Sequence, residues 1–281
     1  MKSGFVKGTF MLQKLSVLIS VYHKDNPTWF REALNSIFTQ TTKPSEIVVV
    51  CDGPVGKDIQ AVLDEVSKDK IVRILSCPVD MGRGAALAYA VPKCNCDLIA
   101  LMDADDVSRK DRFEKQLAAF AANPNLSVCG GQIQEVDAES FTPLSKRIVP
   151  LTHQEICQYL KTRMPFNNVT VMFKKADILE AGNYKPFGTL EDYYMWARVI
   201  AKGKQVQNVP DILVDVRIGQ GMYNRRSGWN YFKMNKLLFD ELKKLGLLSS
   251  KDYYYTLFVR FCVQVLMPNS VRGFFYRKVL R

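Results

Sequence analysis

The sequence predicts an α/β fold, a mostly parallel sheet flanked by helices, followed by a helical C-terminal region that is basic and aromatic. Three observations predict it. Short runs rich in β-branched residues alternate with helical stripes through the first half, carboxylates and glycines recur just after those runs, and residues 229–281 open on an amphipathic helical pattern. Residues 1–14 show no periodicity and read as a flexible leader, 15–228 as one α/β domain, and 229–281 as the helical region.

The elements follow in order. LSVLISV (15–21) is a short β-branched strand, and Phe30, Ala33, Leu34, Ile37 and Phe38 form a helical stripe opened by Asn26-Pro27. EIVVVCD is a buried strand, Ile59, Val62, Leu63 and Val66 make the next helix, and IVRILSC the third strand. Residues 82–91 form a short alanine-rich helix. LIALM is the fourth strand, and Ser108 with Asp111 predicts a capping box for a helix burying Phe113, Leu117, Phe120 and Ala121. Further on, LSVCGGQIQEVD and NNVTVMFKK read as strands, and LEDYYMWARVIAK as a helix ended by Gly203. KQVQNVPDILVDVRI reads as a strand with a proline break, and residues 229–245 as a helix stopped at Gly246.

Composition narrows the class. A formal charge of +11 calls for an anionic partner: nucleic acid, a phosphorylated small molecule or an acidic membrane. Seven scattered cysteines, with Cys94 and Cys96 at the wrong spacing for a zinc knuckle, read as reduced thiols of a cytoplasmic protein. The run 15–21 is too short for a secretion signal, and no stretch approaches the length of a membrane span. Only two histidines occur, His23 and His153, which argues against Ser-His-Asp and histidine-zinc chemistry.

In parallel sheets ligands bind beyond the carboxyl ends of the strands. The residues expected there are Tyr22, His23 and Asp25, then Asp52 and Gly53, then Asp80 with Arg83 between two glycines, then Asp103, Asp105 and Asp106. Three carboxylates in four positions repel one another unless a cation or ligand absorbs the charge. In extended backbone Asp103 and Asp105 point the same way, a hard-oxygen pair suited to Mg²⁺ or Mn²⁺. A solvated loop with Asp106 as a helix cap is the alternative. Glu191-Asp192 at a helix start fits either charge compensation of the helix dipole or a general base. Arg225-Arg226, in a glycine-flanked loop before a helix, suits a phosphate. Residues 253–281 carry eight aromatics, five Arg or Lys and no acid, a pattern for a membrane interface, nucleic-acid stacking or a packed helix.

Taken together, LSVLISVYHKDNPTWFREALNSIFTQTTKPSEIVVVCDGP, LMDADD and GTLEDYYMWARVIAKG resemble family 2 glycosyltransferases of the GT-A fold, in particular the bacterial enzymes of exopolysaccharide, capsule and O-antigen synthesis, including the amylovoran type. The resemblance implies that Tyr22, Asp25 and Asp52 hold the nucleotide, that Asp103 contacts ribose or the metal shell, and that Asp105 ligates Mn²⁺ or Mg²⁺. It implies Asp192 as the base, with Glu191 beside it and Asp106 in support, and Arg225 and Arg226 on the diphosphate. Family members often carry asparagine where this chain has Asp80 and Ala88, and Arg83 stands in that loop as a candidate donor contact. The implied function is inverting transfer from a nucleotide-diphosphate sugar, UDP-sugar foremost, to a lipid-linked saccharide at the inner membrane face, without nucleic acid. A nucleotidyltransferase fits less well because SVYHKDNP lacks its glycine-rich loop. A phosphatase with D-x-D carries that motif on its first strand, and a nucleic-acid binder leaves the aspartates unexplained.

Overall fold

The computed structural model describes residues 14–219 and 228–267. β1 (Leu15–Val21), β2 (Glu46–Cys51), β3 (Val72–Ser76) and β4 (Leu98–Asp103) lie parallel in the order β3-β2-β1-β4. Parallel neighbours require crossovers, supplied by α1 (Pro27–Phe38), α2 (Lys57–Val66) and α3 (Arg83–Ala90). Asn26 opens α1 by accepting the Thr28 N–H at 2.9 Å, with Pro27 in the first turn. Side-chain alternation along the strands feeds two cores. Leu18, Val48, Val50 and Leu101 pack on the face of α3, whereas Val17, Ile19, Val49 and Ala100 pack on the face of α1 and α2.

Beyond β4 the sheet is mixed. β8 (Met172–Lys174) runs antiparallel to both β4 and β6 (Leu126–Asp137), β9 (Gln205–Ile218) is parallel to β6, and β5 (Val107–Ser108) and β7 (Pro143–Arg147) add antiparallel edges. The expected strand NNVTVMFKK is therefore mostly something else: residues 168–170 form a 3-10 turn and only Met172–Lys174 pair. Side chains compete for the backbone here, since Asn167 donates to the Gly131 carbonyl at 2.8 Å and Thr170 accepts the Gly131 N–H at 2.9 Å. The proline break in β9 proves to be an irregularity in register, with the strand continuing past Pro210.

The capping box expected at Ser108 and Asp111 does not form. Ser108 is drawn into β5 by pairing with Val214, and its hydroxyl accepts from Gln40 at 3.3 Å. Asp111 precedes α4 (Arg112–Ala122), but its carboxylate pairs with Lys115 at 2.7 Å.

Two helices not singled out from sequence, α5 (His153–Leu160) and α6 (Lys175–Glu180), precede α7 (Glu191–Ala201) in the chain. Trp196 of α7 is fully buried among Phe166, Phe173 and Tyr184. α8 (Gly228–Lys244) and α9 (Ser250–Phe261) close over this cluster through Leu238, Phe239, Leu242 and Tyr253, with Leu248 from the connection between them. That packing fixes the start of α7 against the sheet rim.

Candidate active site

The carboxyl ends of β1, β2 and β4, the start of α3 and the start of α7 meet at one rim. After β1, a tight turn returns the Asp25 carboxylate to the Tyr22 N–H at 3.0 Å. After β2, buried Asp52 accepts the Met81 N–H at 2.8 Å, stitching that loop to the one before α3. The two loops touch so closely that a Cβ on Gly53, where φ is +81°, would stand 2.6 Å from the Asp80 nitrogen. Tyr22 is 38% exposed and stacks edge-on against His23. Tyr22, Asp25 and Asp52 thus sit where the sequence placed them.

β4 ends at Asp103, and the chain turns at Ala104 and Asp105. The turn, more than strand alternation, brings the carboxylates together. Arg217 at the end of β9 anchors it: the Arg217 N–H donates to Asp106 at 2.9 Å, and the guanidinium reaches the Asp105 carbonyl and Glu32. Asp106 is therefore a buried brace for the turn and caps no helix.

Arg83, in the first turn of α3, bridges the rim. Its Nη2 lies 2.6 Å from Asp103 and its Nη1 3.0 Å from Asp192 in the first turn of α7. Burial opposes its charge, but Asp103 and Asp192 hold the guanidinium protonated. Glu191 crosses to α3, where it accepts the Gly84 N–H, a donor left over at the helix start. A Cβ on Gly84 would come within 2.6 Å of Glu191 Oε2, so glycine is what admits that carboxylate.

The electrostatics separate this rim from the rest of the protein. Burial, with repulsion from Asp105 and Asp103, pushes the Asp25 carboxyl up to about 7, and burial with Asp192 pushes Glu191 up to about 7. Asp105 is raised by its surroundings and by Asp103, and Asp192 by burial and Asp103 despite Arg83. Glu46, at the opposite end of the strands, shows the contrast. Although burial opposes its charge, bonds from Ser16, Asn95 and Arg73 hold it below the usual range. Glu46 is a satisfied structural carboxylate, whereas the rim holds negative charge in excess of its partners.

That excess fits a divalent cation. Asp103 and Asp105 are hard-oxygen donors, and Asp25 adds repulsion that a cation would relieve. Among the described residues no group of three potential ligands converges, and Asp103 and Asp105 are the two that could hold it, with water and phosphate oxygens as the other ligands.

A cavity of about 470 Å³ opens beside this constellation, lined by Arg83, Asp103 and Asp192 and by Tyr231, Asn235 and Arg260 of α8 and α9. Asp192 Oδ2 takes the Arg83 bond, while Oδ1 is buried without a hydrogen-bond partner among the described residues. Arg225 and Arg226 lie outside the described residues. Three further groups at or beside the site were not foreseen: Arg217, whose only sequence signal is its place at a strand end; Asn168, which lines the cavity; and Tyr184, whose buried hydroxyl lies in the electrostatic reach of Asp192 and Arg83.

Comparison with known proteins agrees with this architecture. Residues 16–179 match the family described as glycosyl transferase family 2. The chain is 34% identical over 94% of its length to the amylovoran biosynthesis glycosyltransferase AmsE of Erwinia amylovora, covering 98% of that protein. It is 32% identical over 95% of its length to the Escherichia coli UDP-Gal:α-D-GlcNAc-diphosphoundecaprenol β-1,3-galactosyltransferase, covering 97% of it. Among solved structures, a mannosyltransferase from Pyrobaculum calidifontis in complex with GDP-Man and Mn²⁺ superposes with a TM-score of 0.63 at 14% identity, over 89% of this chain and 69% of that one. This likeness establishes the GT-A fold.

Proposed function

The chain belongs to glycosyl transferase family 2 and is a glycosyltransferase, and from that premise we propose that it transfers a sugar, with inversion, from a UDP-sugar to a lipid-linked saccharide in surface polysaccharide synthesis. The observation that carries the mechanism is Asp192: one oxygen tied to Arg83, the other uncommitted, at the edge of a cavity. Asp192 takes the proton of an acceptor hydroxyl. The hydroxyl oxygen forms the new bond to the anomeric carbon as the bond to the nucleoside diphosphate breaks on the opposite face, which inverts the configuration. Burial raises the affinity of Asp192 for that proton, and Arg83 keeps the carboxylate oriented and ionised beforehand.

Asp25, Asp52 and Tyr22 line the nucleotide side of the rim. Asp103 and Asp105 would hold Mn²⁺ or Mg²⁺, which supplies Lewis-acid stabilisation of the departing diphosphate when bound. Arg83 places its charge between base and leaving group, where charge develops in the transition state. Glu191 and the helix starts of α3 and α7 keep Asp192 in place, and Arg225 and Arg226 add charge for the diphosphate.

We assign the enzyme to the membrane surface as a peripheral protein. Among the described residues no helix is long and apolar enough to cross a bilayer, yet Tyr254, Tyr255 and Phe258 of α9 are 65–68% exposed in a region of basic residues. Calorimetric titration with UDP, GDP, dTDP and CMP, each with Mn²⁺ and with EDTA, tests the donor assignment. UDP binding that needs the metal is expected. Failure of all four to bind would remove the donor site.

A further inference from the structure

Arg217 ends β9 at a point where three other parts of the chain meet on it. Its backbone N–H donates to Asp106 at 2.9 Å, and its guanidinium donates to the Asp105 carbonyl and to Glu32 of α1. Two rings cover the guanidinium: its carbon lies 5.4 Å from the ring centroid of Trp29 in α1 and 4.9 Å from that of Phe141 in the connection between β6 and β7. The side chain is 4% exposed. A planar cation with its donors engaged and rings against it has little freedom, so the Asp105 peptide that it bonds has little either.

Phe141 carries a cost that this contact explains. Its φ is +56°, a region that favours glycine. Asp137 closes the hairpin around it, accepting the Phe141 N–H on its carbonyl at 3.0 Å and the Ser140 N–H on its carboxylate at 2.9 Å. A strained backbone and a part-exposed ring are both unfavourable at a hairpin tip, and what the ring covers is the Arg217 guanidinium. The charge of Arg217, by contrast, works against a metal. A cation near Asp105 favours the ionised carboxylate but repels Mn²⁺ or Mg²⁺. Acting by charge alone, Arg217 would weaken metal binding; acting by position, it would strengthen it.

We propose that Arg217 is a positioning residue for the metal site: held by Glu32, Trp29 and Phe141, it fixes the Asp105 peptide so that the Asp105 carboxylate is set beside Asp103 before the cation arrives. The inference rests on metal ligation by Asp103 and Asp105 and adds what sets the affinity of that pair. It also ties the pair to α1, the helix that follows the turn between Tyr22 and Asp25. Side-chain variants of Arg217 keep its backbone N–H, so the brace on Asp106 survives in each while the hold on Asp105 is lost.

The test is Mn²⁺ binding to the full-length protein in the presence of UDP, read as loss of the free Mn²⁺ signal in electron paramagnetic resonance, with a melting curve for every variant. Arg217→Lys keeps the charge and loses the planar fork, and Arg217→Gln loses both. Both should weaken Mn²⁺ by about 10- to 100-fold, the usual cost of losing a group that orients a metal ligand. Phe141→Gly, which relieves the backbone and removes one ring, should weaken it several-fold with little change in melting temperature. If an arginine variant lacks a cooperative transition, Phe141→Gly carries the reading, and unchanged affinity there overturns the proposal. Wild-type affinity in Arg217→Lys, or tighter binding in Arg217→Gln, overturns it as well and leaves Arg217 as a charge near the site. Wild type that takes up no Mn²⁺ with UDP present refutes ligation by Asp103 and Asp105 itself, a different failure, and Arg217 then braces the turn for the fold alone.

Discussion

Replacing Gly84 by alanine separates the stability of the fold from the geometry of the site. Two opposing effects act on stability. Alanine gains up to about 1 kcal/mol over glycine in a helix, less in a first turn. Against that, the new Cβ would stand 2.6 Å from Glu191 Oε2 and 2.7 Å from its Cδ, where relaxed contacts need roughly 3.5 Å. The carboxylate must retreat by roughly 1 Å and give up the Gly84 N–H, a charge-assisted bond worth roughly 1.5–3 kcal/mol before water replaces it. The obstructing group is the end of a flexible side chain, so the clash relaxes and the net change stays within about 1 to 2 kcal/mol. That corresponds to a melting shift of no more than about 8 °C. Activity should respond far more, because Glu191 adjoins Asp192 and a displacement of about 1 Å costs on the order of 10²-fold in turnover. Scanning fluorimetry and UDP release with a lipid-linked saccharide acceptor read both quantities on one sample. Turnover equal to wild type would show that the position of Glu191 has no bearing on the base.

Other perturbations probe the remaining parts. Asp105→Ala should abolish the Mn²⁺-dependent component of UDP binding in calorimetry while leaving the melting temperature nearly unchanged; metal-independent binding in wild type would refute the ligand assignment. Asp25 and Glu191 have ordinary values of 3.8 and 4.5 and are raised to about 7, so the folded protein retains protons that the unfolded chain has released. Stability should therefore fall as pH climbs from about 4.5 to about 7 and level off above, and the slope should shrink in Asp25→Asn/Glu191→Gln. Depressed carboxylates such as Glu46 act with the opposite sign and at lower pH. A wild-type melting temperature that rises from pH 5 to 7 would contradict this. Tyr254→Ser/Phe258→Ser, on the exposed face of α9, should weaken sedimentation with phosphatidylglycerol vesicles several-fold without loss of turnover on a soluble acceptor; equal sedimentation would place the membrane contact elsewhere.

Much of the rim was legible because parallel strands end in predictable places. The runs around Val17, Val48 and Leu101 bury both faces, so Asp25, Asp52 and Asp103 had to fall at their carboxyl ends. Asp192 was visible only as one acid at a helix start. Its link to Asp103 runs through Arg83, which is 109 residues distant from Asp192 in sequence, and such pairings leave no local periodicity. The same holds for Arg217, which braces Asp106 across 111 residues. The capping box at Ser108 failed because a two-residue strand, too short to signal itself, captured that residue for the sheet. The turn at Ala104 and Asp105 was likewise missed, since alternation presumes that the strand continues.

The proton acceptor is the group on which the mechanism stands, and Asp192→Asn tests it. The variant keeps the shape of the side chain and an amide oxygen for the Arg83 bond while removing its charge and basicity, so UDP affinity with Mn²⁺ should stay within about threefold of wild type while turnover falls by about 10²- to 10⁴-fold. Turnover within about tenfold of wild type, at unchanged donor affinity, would contradict the assignment and send the search for the base to Glu191.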